Sequence, residues 1–148
     1  MSDSVADILI VEDNPNDAEL VARVLRKSAS PNVTFVRNGA EALDFLFAEG
    51  EYEHRSINDA PCVILLDLKL PKVDGIEVLR RIKGDKRTRT IPVVILTSST
   101  EERDLQAAYD LGANSYVTKP IEFQDLADVV AEVGHYWLTA NRLPAQKR

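Results

Sequence analysis

The sequence predicts an α/β protein with an open parallel β-sheet and helices on both faces, a three-layer sandwich. Residues Ile8–Val11, Val63–Leu66 and 93–96 form short, continuous apolar runs. Continuous apolar strands, without the alternation of a half-exposed strand, are typical of parallel sheets covered on both faces. Helical patterns separate the runs, so that strand and helix alternate five times along the chain. This alternation implies right-handed crossover connections.

Two weaker candidates complete the set of five strands. Residues Val33–Val36 (VTFV) and 114–117 (NSYV) are less apolar than the other three runs. Strands near the edge of a parallel sheet are covered less completely than central ones. We therefore expect these two strands to lie nearer the edges.

Caps and apolar spacing place the first three helices. Asn16 or Asp17 can cap the first helix, and Gly39 opens the second. The third helix runs from Asp74 to about Gly84, with apolar residues three positions apart.

The last two helices differ in how much apolar surface they carry. The fourth begins after Ser99 or Thr100 and ends at Gly112, a predicted left-handed C-cap. The last occupies about residues 122–141 and has more apolar surface than one sheet face needs. The surplus suggests a protein interface, and the alternative is a fully packed core helix with a capping Trp. The apolar residues are Phe123, Leu126, Val129, Val130, Val133, Tyr136, Trp137 and Leu138.

Composition limits the function classes. With 148 residues and 45% hydrophobic content, the chain can bury one core, so we expect a single domain over residues 1–148. The net charge of −6 argues against nucleic acid as a partner, because binding to duplex DNA needs clustered Lys and Arg. The apolar stretches are short and the first residues carry no basic region, so we expect neither a membrane span nor a signal peptide. The single cysteine, Cys62, fits a reducing compartment, and we expect a cytoplasmic protein.

One long connection, residues 48–61, separates the second helix from the third strand. It is polar, which predicts a solvated insertion. Its His54 has no second histidine nearby, so we expect no metal role for this loop.

Polar residues follow the predicted strands where a ligand would bind. Glu12 and Asp13 follow the first strand, and Asp67 follows the third. In open α/β sheets, ligands bind outside the carboxyl ends of the strands. If the first and third strands are neighbours, three carboxylates meet, and each pair about 4 Å apart repels by roughly 4 kcal/mol at an effective dielectric of 20. Hard oxygen ligands without a Cys or His cluster predict that Mg²⁺ offsets this repulsion.

Such a site can receive a phosphoryl group. Asp67 can act as the nucleophile and form an acyl phosphate. Lys119, after the fifth strand, can neutralise one phosphoryl oxygen, and Thr97 can donate its hydroxyl to another. Singly, each residue has a simpler explanation as a helix cap, a strand end or a surface lysine. Their coincidence at the strand ends favours phosphoryl chemistry.

The chain resembles the receiver domains of two-component response regulators. The resemblance is carried by "ILIVEDN" (8–14), "VILLDLKLPKVDG" (63–75), "PVVILTSS" (92–99), "LGANSYVTKP" (111–120) and the helix that follows. It spans about residues 6–138, so that residues 139–148 are a C-terminal extension. It implies a flavodoxin-like (βα)5 fold with a sheet of order 2-1-3-4-5 and an extended last helix.

For the site, the resemblance implies that Asp67 is the phosphoacceptor and that Glu12 and Asp13 are acids of a Mg²⁺ site. Asp67 itself and the backbone carbonyl of Lys69 would also be metal ligands. Thr97 would be the switch hydroxyl.

The resemblance also assigns two residues near the fifth strand. Lys119 would pair with the phosphoryl group, before a cis Lys119–Pro120 bond. Tyr116 would be an aromatic switch, whose ring turns inward when Thr97 moves toward the phosphate. The implied phosphoryl donor is a phosphohistidine on a sensor histidine kinase.

Within that family, the chain is most similar to the stand-alone regulators associated with phytochrome-type kinases. The supporting segments are "GEYE", "DLKLPK" and "YWLTANRLP". This narrower resemblance implies a homodimer through the last helix and the neighbouring edge strand. Only 28 residues follow Pro120, and one helix uses most of them, so we expect output by contact with another molecule rather than by enzyme activity.

Three alternatives stay open at this point. A phosphatase of the haloacid dehalogenase type would need a second acid two positions after its Asp nucleophile, where this chain has Lys69. An FMN-binding flavodoxin would place a phosphate on the first loop, which "VEDNPND" would repel. A receiver-like docking module that is never phosphorylated would keep all of the same residues.

Overall fold

The computed structural model describes residues 7–144. Five parallel strands form one sheet in the order β2-β1-β3-β4-β5, which confirms the predicted fold. The strands are β1 Ile8–Val11, β2 Val33–Val36, β3 Val63–Leu66, β4 Val93–Thr97 and β5 Ser115–Thr118. The two less apolar strands, β2 and β5, are the edge strands, as their composition predicts.

Five α-helices connect and follow the strands. They are α1 Pro15–Ser28, α2 Gly39–Phe47, α3 Gly75–Gly84, α4 Glu102–Asp110 and α5 Phe123–His135. A 3-10 turn at Gly50–Tyr52 lies between α2 and β3, and a π-helical turn at Tyr136–Ala140 extends α5. The predicted last helix therefore exists with a change of helical geometry near its end.

The strands bury both of their faces, which explains their continuous apolar sequences. Along β1, Leu9 and Val11 join the core layer under α2 and α3, whereas Ile8 and Ile10 join the layer under α1 and α5. All four side chains are at most 2% exposed. Burying an aliphatic side chain contributes about 1.5–3 kcal/mol, so the central strands stabilise the sandwich from both sides.

The first helix begins earlier than the sequence predicts. Its N-cap is Asn14, whose side chain accepts hydrogen bonds from the backbone N–H groups of Asn16 and Asp17. The prediction of a cap at Asn16 or Asp17 is therefore wrong. The reason is Pro15, which has no N–H to lose and is favoured at the first helical position.

The insertion is partly solvated, as expected, but part of it is packed on α2. Arg55 is only 8% exposed, and its guanidinium lies 3.7 Å from the ring centroid of Phe45. The same guanidinium donates hydrogen bonds to the carbonyls of Phe45 and Asp59. Tyr52 packs edge-on against Phe45 and donates its hydroxyl to Glu41 at 2.7 Å. A cation–π contact and these hydrogen bonds fix the loop on α2.

The apolar stripe of the last helix divides into a buried and an exposed part. Leu126 and Val130 are at most 3% exposed and belong to the core layer under α1 and α5. Partly buried residues pack on the same layer; these are Val129, Val133, Trp137 and Leu138. Phe123 remains 65% exposed and Tyr136 49% exposed. Six of the eight residues therefore contact the core layer, four of them only partly buried, and two remain exposed.

The structure bears differently on the predicted cis bond and on the predicted domain limits. All peptide bonds of residues 7–144 are trans, so the cis Lys119–Pro120 bond is absent. An X–Pro bond has only a small intrinsic preference for the trans form, so the presence of Pro120 in the sequence does not determine its isomer. The predicted domain limits at residues 1 and 148, and the start of the core at residue 6, lie outside the described residues.

Between residues 7 and 144, no helix has the length and apolarity that a bilayer crossing requires.

Candidate functional site

Adjacent strand ends bring three carboxylates together. Glu12 and Asp13 follow β1, and Asp67 follows β3, its direct neighbour. One oxygen from each carboxylate lies within 4.8 Å of the others. Glu12 and Asp67 are 3% and 6% exposed, whereas Asp13 faces solvent. Three hard oxygen donors, two of them buried, fit the ligand set of a divalent cation.

Lys119 is the cation of this cluster. Its Nζ lies 2.6 Å from Glu12 Oε1 and 3.1 Å from Asp67 Oδ2. A third carboxylate, Asp17, lies 3.1 Å from the same nitrogen. The lysine side chain is only 10% exposed, and β5 positions it through the backbone bond to Thr97. Lys119 thus joins the ends of β1, β3 and β5 to the first turn of α1.

The buried charges alter the pKa values of this cluster. Burial raises the pKa of Glu12 to about 7, and the charge of Asp67 adds to the rise, although Lys119 opposes it. Burial alone would lower the pKa of Lys119, but the hydrogen bond to Glu12 and the charges of Asp67 and Glu12 raise it above its usual value. The ammonium is therefore charged at physiological pH, and the carboxylates exceed it in number.

The loop after β3 wraps around the Asp67 backbone. The Lys69 backbone N–H donates to Asp67 Oδ1 at 3.3 Å, and the Gly75 N–H donates to the Leu68 carbonyl at 2.9 Å. A Cβ at position 75 would collide with the Asp67 carbonyl. The glycine at the end of "DLKLPKVDG" thus lets α3 begin in contact with the residue that bears the central carboxylate.

Thr97 and Tyr116 both contact the loop after β4. Thr97 is fully buried at the end of β4, and its Oγ1 accepts a hydrogen bond from the Ser99 N–H at 3.4 Å. The Tyr116 hydroxyl donates to the Ser99 carbonyl at 3.1 Å, and the ring is half-buried. The two predicted switch residues, Thr97 and Tyr116, thus both form hydrogen bonds with the backbone of Ser99.

The same loop is tied to α4 and to Lys69. The Ser99 hydroxyl donates to Asp104 at 2.6 Å, and Lys69 Nζ lies 3.6 Å from the same carboxylate. The hydrogen bond from Ser99 keeps the pKa of Asp104 below its ordinary value, and the charge of Lys69 adds to this effect. The Lys69 side chain is therefore directed to α4 in this structure, while its backbone contacts Asp67.

Asp17, Ser99 and Asp104 are the site residues that sequence reasoning missed. Asp17 could have been found, because it lies four residues after Asp13, in the first turn of the helix that follows the acidic loop. From the sequence, Ser99 is only a possible helix start, and Asp104 is one of several acids in the helix that follows. Their pairing depends on how α4 is placed against the sheet, which local sequence does not specify.

Comparison with known proteins agrees with this geometry. The response regulator receiver domain family matches residues 8–131. The probable methanogenesis regulatory protein FilR2 of Methanothrix harundinacea is 47% identical over 138 residues, which are 93% of this chain and 86% of FilR2.

Two cyanobacterial proteins are similar in sequence and in structure. The phosphorylated phytochrome response regulator RcpA superposes with a TM-score of 0.87 at 43% identity, covering 93% of this chain and 97% of that one. The response regulator Rcp1 of Synechocystis is 43% identical over 93% of this chain and 92% of its own length. Its Mn²⁺-bound structure gives a TM-score of 0.83 and covers 93% of this chain and 98% of that one. The chain belongs to the response regulator receiver-domain family of two-component signalling proteins.

Proposed function

We propose that this receiver accepts a phosphoryl group on Asp67 from a sensor histidine kinase and signals through protein contacts. The observation that carries the proposal is the convergence of Glu12, Asp67 and Lys119 at adjoining strand ends. This convergence combines a carboxylate nucleophile with a fixed cation and an acidic ligand set. The phosphorylated state of RcpA and the Mn²⁺-bound state of Rcp1 support the proposal by similarity.

In the proposed transfer, an oxygen of the Asp67 carboxylate attacks the phosphorus of a phosphohistidine. The P–N bond breaks, its electron pair stays on the imidazole nitrogen, and an acyl phosphate forms on Asp67. Lys119 neutralises one phosphoryl oxygen, and the Thr97 hydroxyl donates a hydrogen bond to another. Tyr116, bonded to the loop after Thr97, would report this movement to the surface.

Four groups would hold the divalent ion, which we propose to be Mg²⁺. They are the carboxylates of Glu12, Asp13 and Asp67 and the backbone carbonyl of Lys69. When bound, the ion would neutralise charge on the transferred phosphoryl group. Asp17 has a separate role in the proposal, because its carboxylate contacts Lys119 and keeps the ammonium in place.

Intact mass spectrometry tests the proposal. The protein is incubated with acetyl phosphate and Mg²⁺, and we expect one phosphoryl adduct that is lost in Asp67→Asn and retained in the control Asp110→Asn, an exposed aspartate on α4. Chelation of the metal should suppress the adduct. No adduct, or an adduct that survives Asp67→Asn, would overturn the assignment and favour a docking module. Turnover of an external phosphoester would instead favour the phosphatase alternative.

The finer assignments are part of the same proposal. We infer that the kinase is of the phytochrome type, because RcpA is a phytochrome response regulator, and that both partners meet in the cytoplasm. We also propose a single domain and a homodimer through the last helix and β5. Transfer from a purified phytochrome kinase, compared with transfer from a kinase of another sensor class, tests the first inference.

A further inference from the structure

We propose that the groove between α1 and β2 binds an acidic, aromatic-containing segment of a partner protein. We call this feature the α1–β2 groove. Its volume is about 570 Å³, and it is lined by Pro15, Glu19, Ala22, Arg23, Arg26, Lys27, Phe35 and Arg37. The groove lies along the edge of the sheet, outside the carboxylate cluster, and none of its lining residues has a role in the proposed phosphoryl transfer.

The charge of this groove contrasts with that of the whole protein. The chain has a net charge of −6, yet the groove holds four cationic side chains and one acid, Glu19. All four cations are exposed, and within residues 7–144 none of them forms an ion pair with a carboxylate. An acid-rich chain that leaves these cations together and unpaired presents a positive surface to a negative partner.

On a second basic surface, by contrast, two arginines are paired with neighbouring acids. Arg80 pairs with Glu77 at 3.0 Å, and Arg87 pairs with Asp85 at 2.7 Å. These two cations line a hollow beside α3, together with Arg81 and the acids Glu49 and Asp85. The α1–β2 groove has no comparable internal neutralisation, so its charge is available to a ligand.

The floor of the groove adds an apolar requirement. Ala22 is 1% exposed, and Phe35 is half-buried and packs on the core layer under α1 and α5. An aromatic side chain of the partner can lie against Phe35 while carboxylates on either side meet Arg23 and Arg37. A partner segment with acids on both sides of an aromatic residue can therefore pair with the arginines at the sides of the groove and pack on the apolar residues at its floor.

The edge strand itself is closed to one common mode of peptide binding. Arg26 Nη2 donates a hydrogen bond to the Val33 carbonyl at 3.1 Å. A peptide that added a strand to β2 would have to displace this arginine. The groove is also open along its length, whereas a small ligand needs a site that buries most of its surface. We therefore expect the groove to recognise the side chains of a partner segment that lies across it, without backbone pairing to β2.

The binding test uses a labelled random copolymer of glutamate and tyrosine, measured by fluorescence anisotropy at about 0.15 M salt to screen weak general attraction. We expect it to bind more tightly than poly-glutamate. The Arg23→Gln/Arg37→Gln variant should weaken binding by about fivefold to tenfold, the effect of two exposed ion pairs. The matched control Arg80→Gln/Arg103→Gln removes two exposed arginines elsewhere and should leave the affinity within about twofold.

A third variant tests the floor. Phe35→Leu should keep the affinity for poly-glutamate and remove the preference for the tyrosine copolymer. An equal loss of affinity in the control variant, or the absence of a preference for tyrosine in the wild type, would overturn the proposal. So would equal binding of tripolyphosphate or of a single-stranded oligonucleotide, because the groove would then recognise only negative charge.

A second copy of this chain is the remaining occupant. If sedimentation shows a wild-type dimer that Arg23→Gln/Arg37→Gln dissociates, the groove is a self-association surface and the proposal of a separate partner is wrong. All of these readouts are independent of phosphorylation, so failure here leaves the proposed function of Asp67 untouched. The mass adduct of the same variant checks that its site is intact.

Discussion

The single ammonium group of Lys119 contacts three carboxylates, those of Glu12, Asp17 and Asp67. Glu12 and Asp67 are buried, so water cannot solvate their charges in place of the ammonium. Removing one partner of a buried ion pair costs more than the pair contributes, because the remaining charge stays desolvated. The acids of the phosphorylation site therefore depend on a residue that lies far away in the sequence. This dependence can be tested without any phosphodonor.

We expect Lys119→Met to lower the free energy of unfolding of the metal-free protein by about 3 kcal/mol, since it leaves two buried carboxylates unpaired. Mg²⁺ should restore part of this loss if the ion binds among the same acids. Urea unfolding with and without Mg²⁺ provides the measurement, and Lys86→Met, which changes an exposed lysine, is the control. Equal stability of Lys119→Met and wild type would contradict the charge balance described for this site.

The raised pKa of Glu12 predicts a pH effect on stability. The carboxyl titrates near 4.5 in the unfolded chain and at about 7 in the folded protein, so the folded state holds the proton more tightly. Its contribution is fully present below about pH 4.5 and is lost as the pH rises through about 7, a total change of about 3 kcal/mol. We expect Glu12→Gln to remove this slope.

Chemical unfolding of the chelator-treated proteins at pH 5 and pH 8 measures the effect. The quantity to compare is the difference between wild type and Glu12→Gln, because other carboxylates, common to both proteins, contribute their own slopes. The same pH dependence in both proteins would show that Glu12 does not carry the shifted titration.

At the scale of elements, Gly75 shows how tightly α3 abuts the site. A methyl group there would meet the Asp67 carbonyl and lie 2.5 Å from the Leu68 Cα, both of which are backbone atoms that cannot rotate away. At Gly84, the other end of α3, the position that a methyl group would take has no neighbouring atom within 4 Å. The two glycines thus form a matched pair on one helix.

Gly75→Ala should destabilise the protein by about 1–3 kcal/mol through overpacking, despite the better helix propensity of alanine. Gly84→Ala should be neutral or stabilising, because it adds a methyl group in open space. Thermal unfolding of both variants is the measurement. A loss in Gly84→Ala as large as that in Gly75→Ala would show that the close approach to Asp67 is not the cause.

At the scale of the whole molecule, the sequence predicted what depends on strand burial and strand order. Continuous apolar runs identified the central strands, and the acids at their ends identified the site, because parallel strands end at one edge of the sheet. It did not predict the contact of Asp17 with Lys119, or the packing of Arg55 on Phe45. Both contacts depend on the direction of side chains that polarity alone assigns to solvent.

The proposed homodimer makes a prediction at this scale. Tyr136, 49% exposed and in edge-on contact with Trp137, is part of the apolar surface that remains on the last helix. If that surface forms the dimer, Tyr136→Glu should yield a monomer by sedimentation, while Asn58→Glu in the exposed part of the insertion should not. An unchanged mass for Tyr136→Glu, with wild-type dimers present, would place the interface elsewhere.

The contacts of Lys119 also have a consequence for protein synthesis. The lysine is separated by 52 residues from Asp67 and by 102 residues from Asp17, so the site joins early and late parts of the chain. A ribosome must release β5 before the acids acquire their counterion, and until then a nascent chain exposes an uncompensated negative cluster. Competence to receive a signal therefore arises only when the fifth strand has joined the sheet.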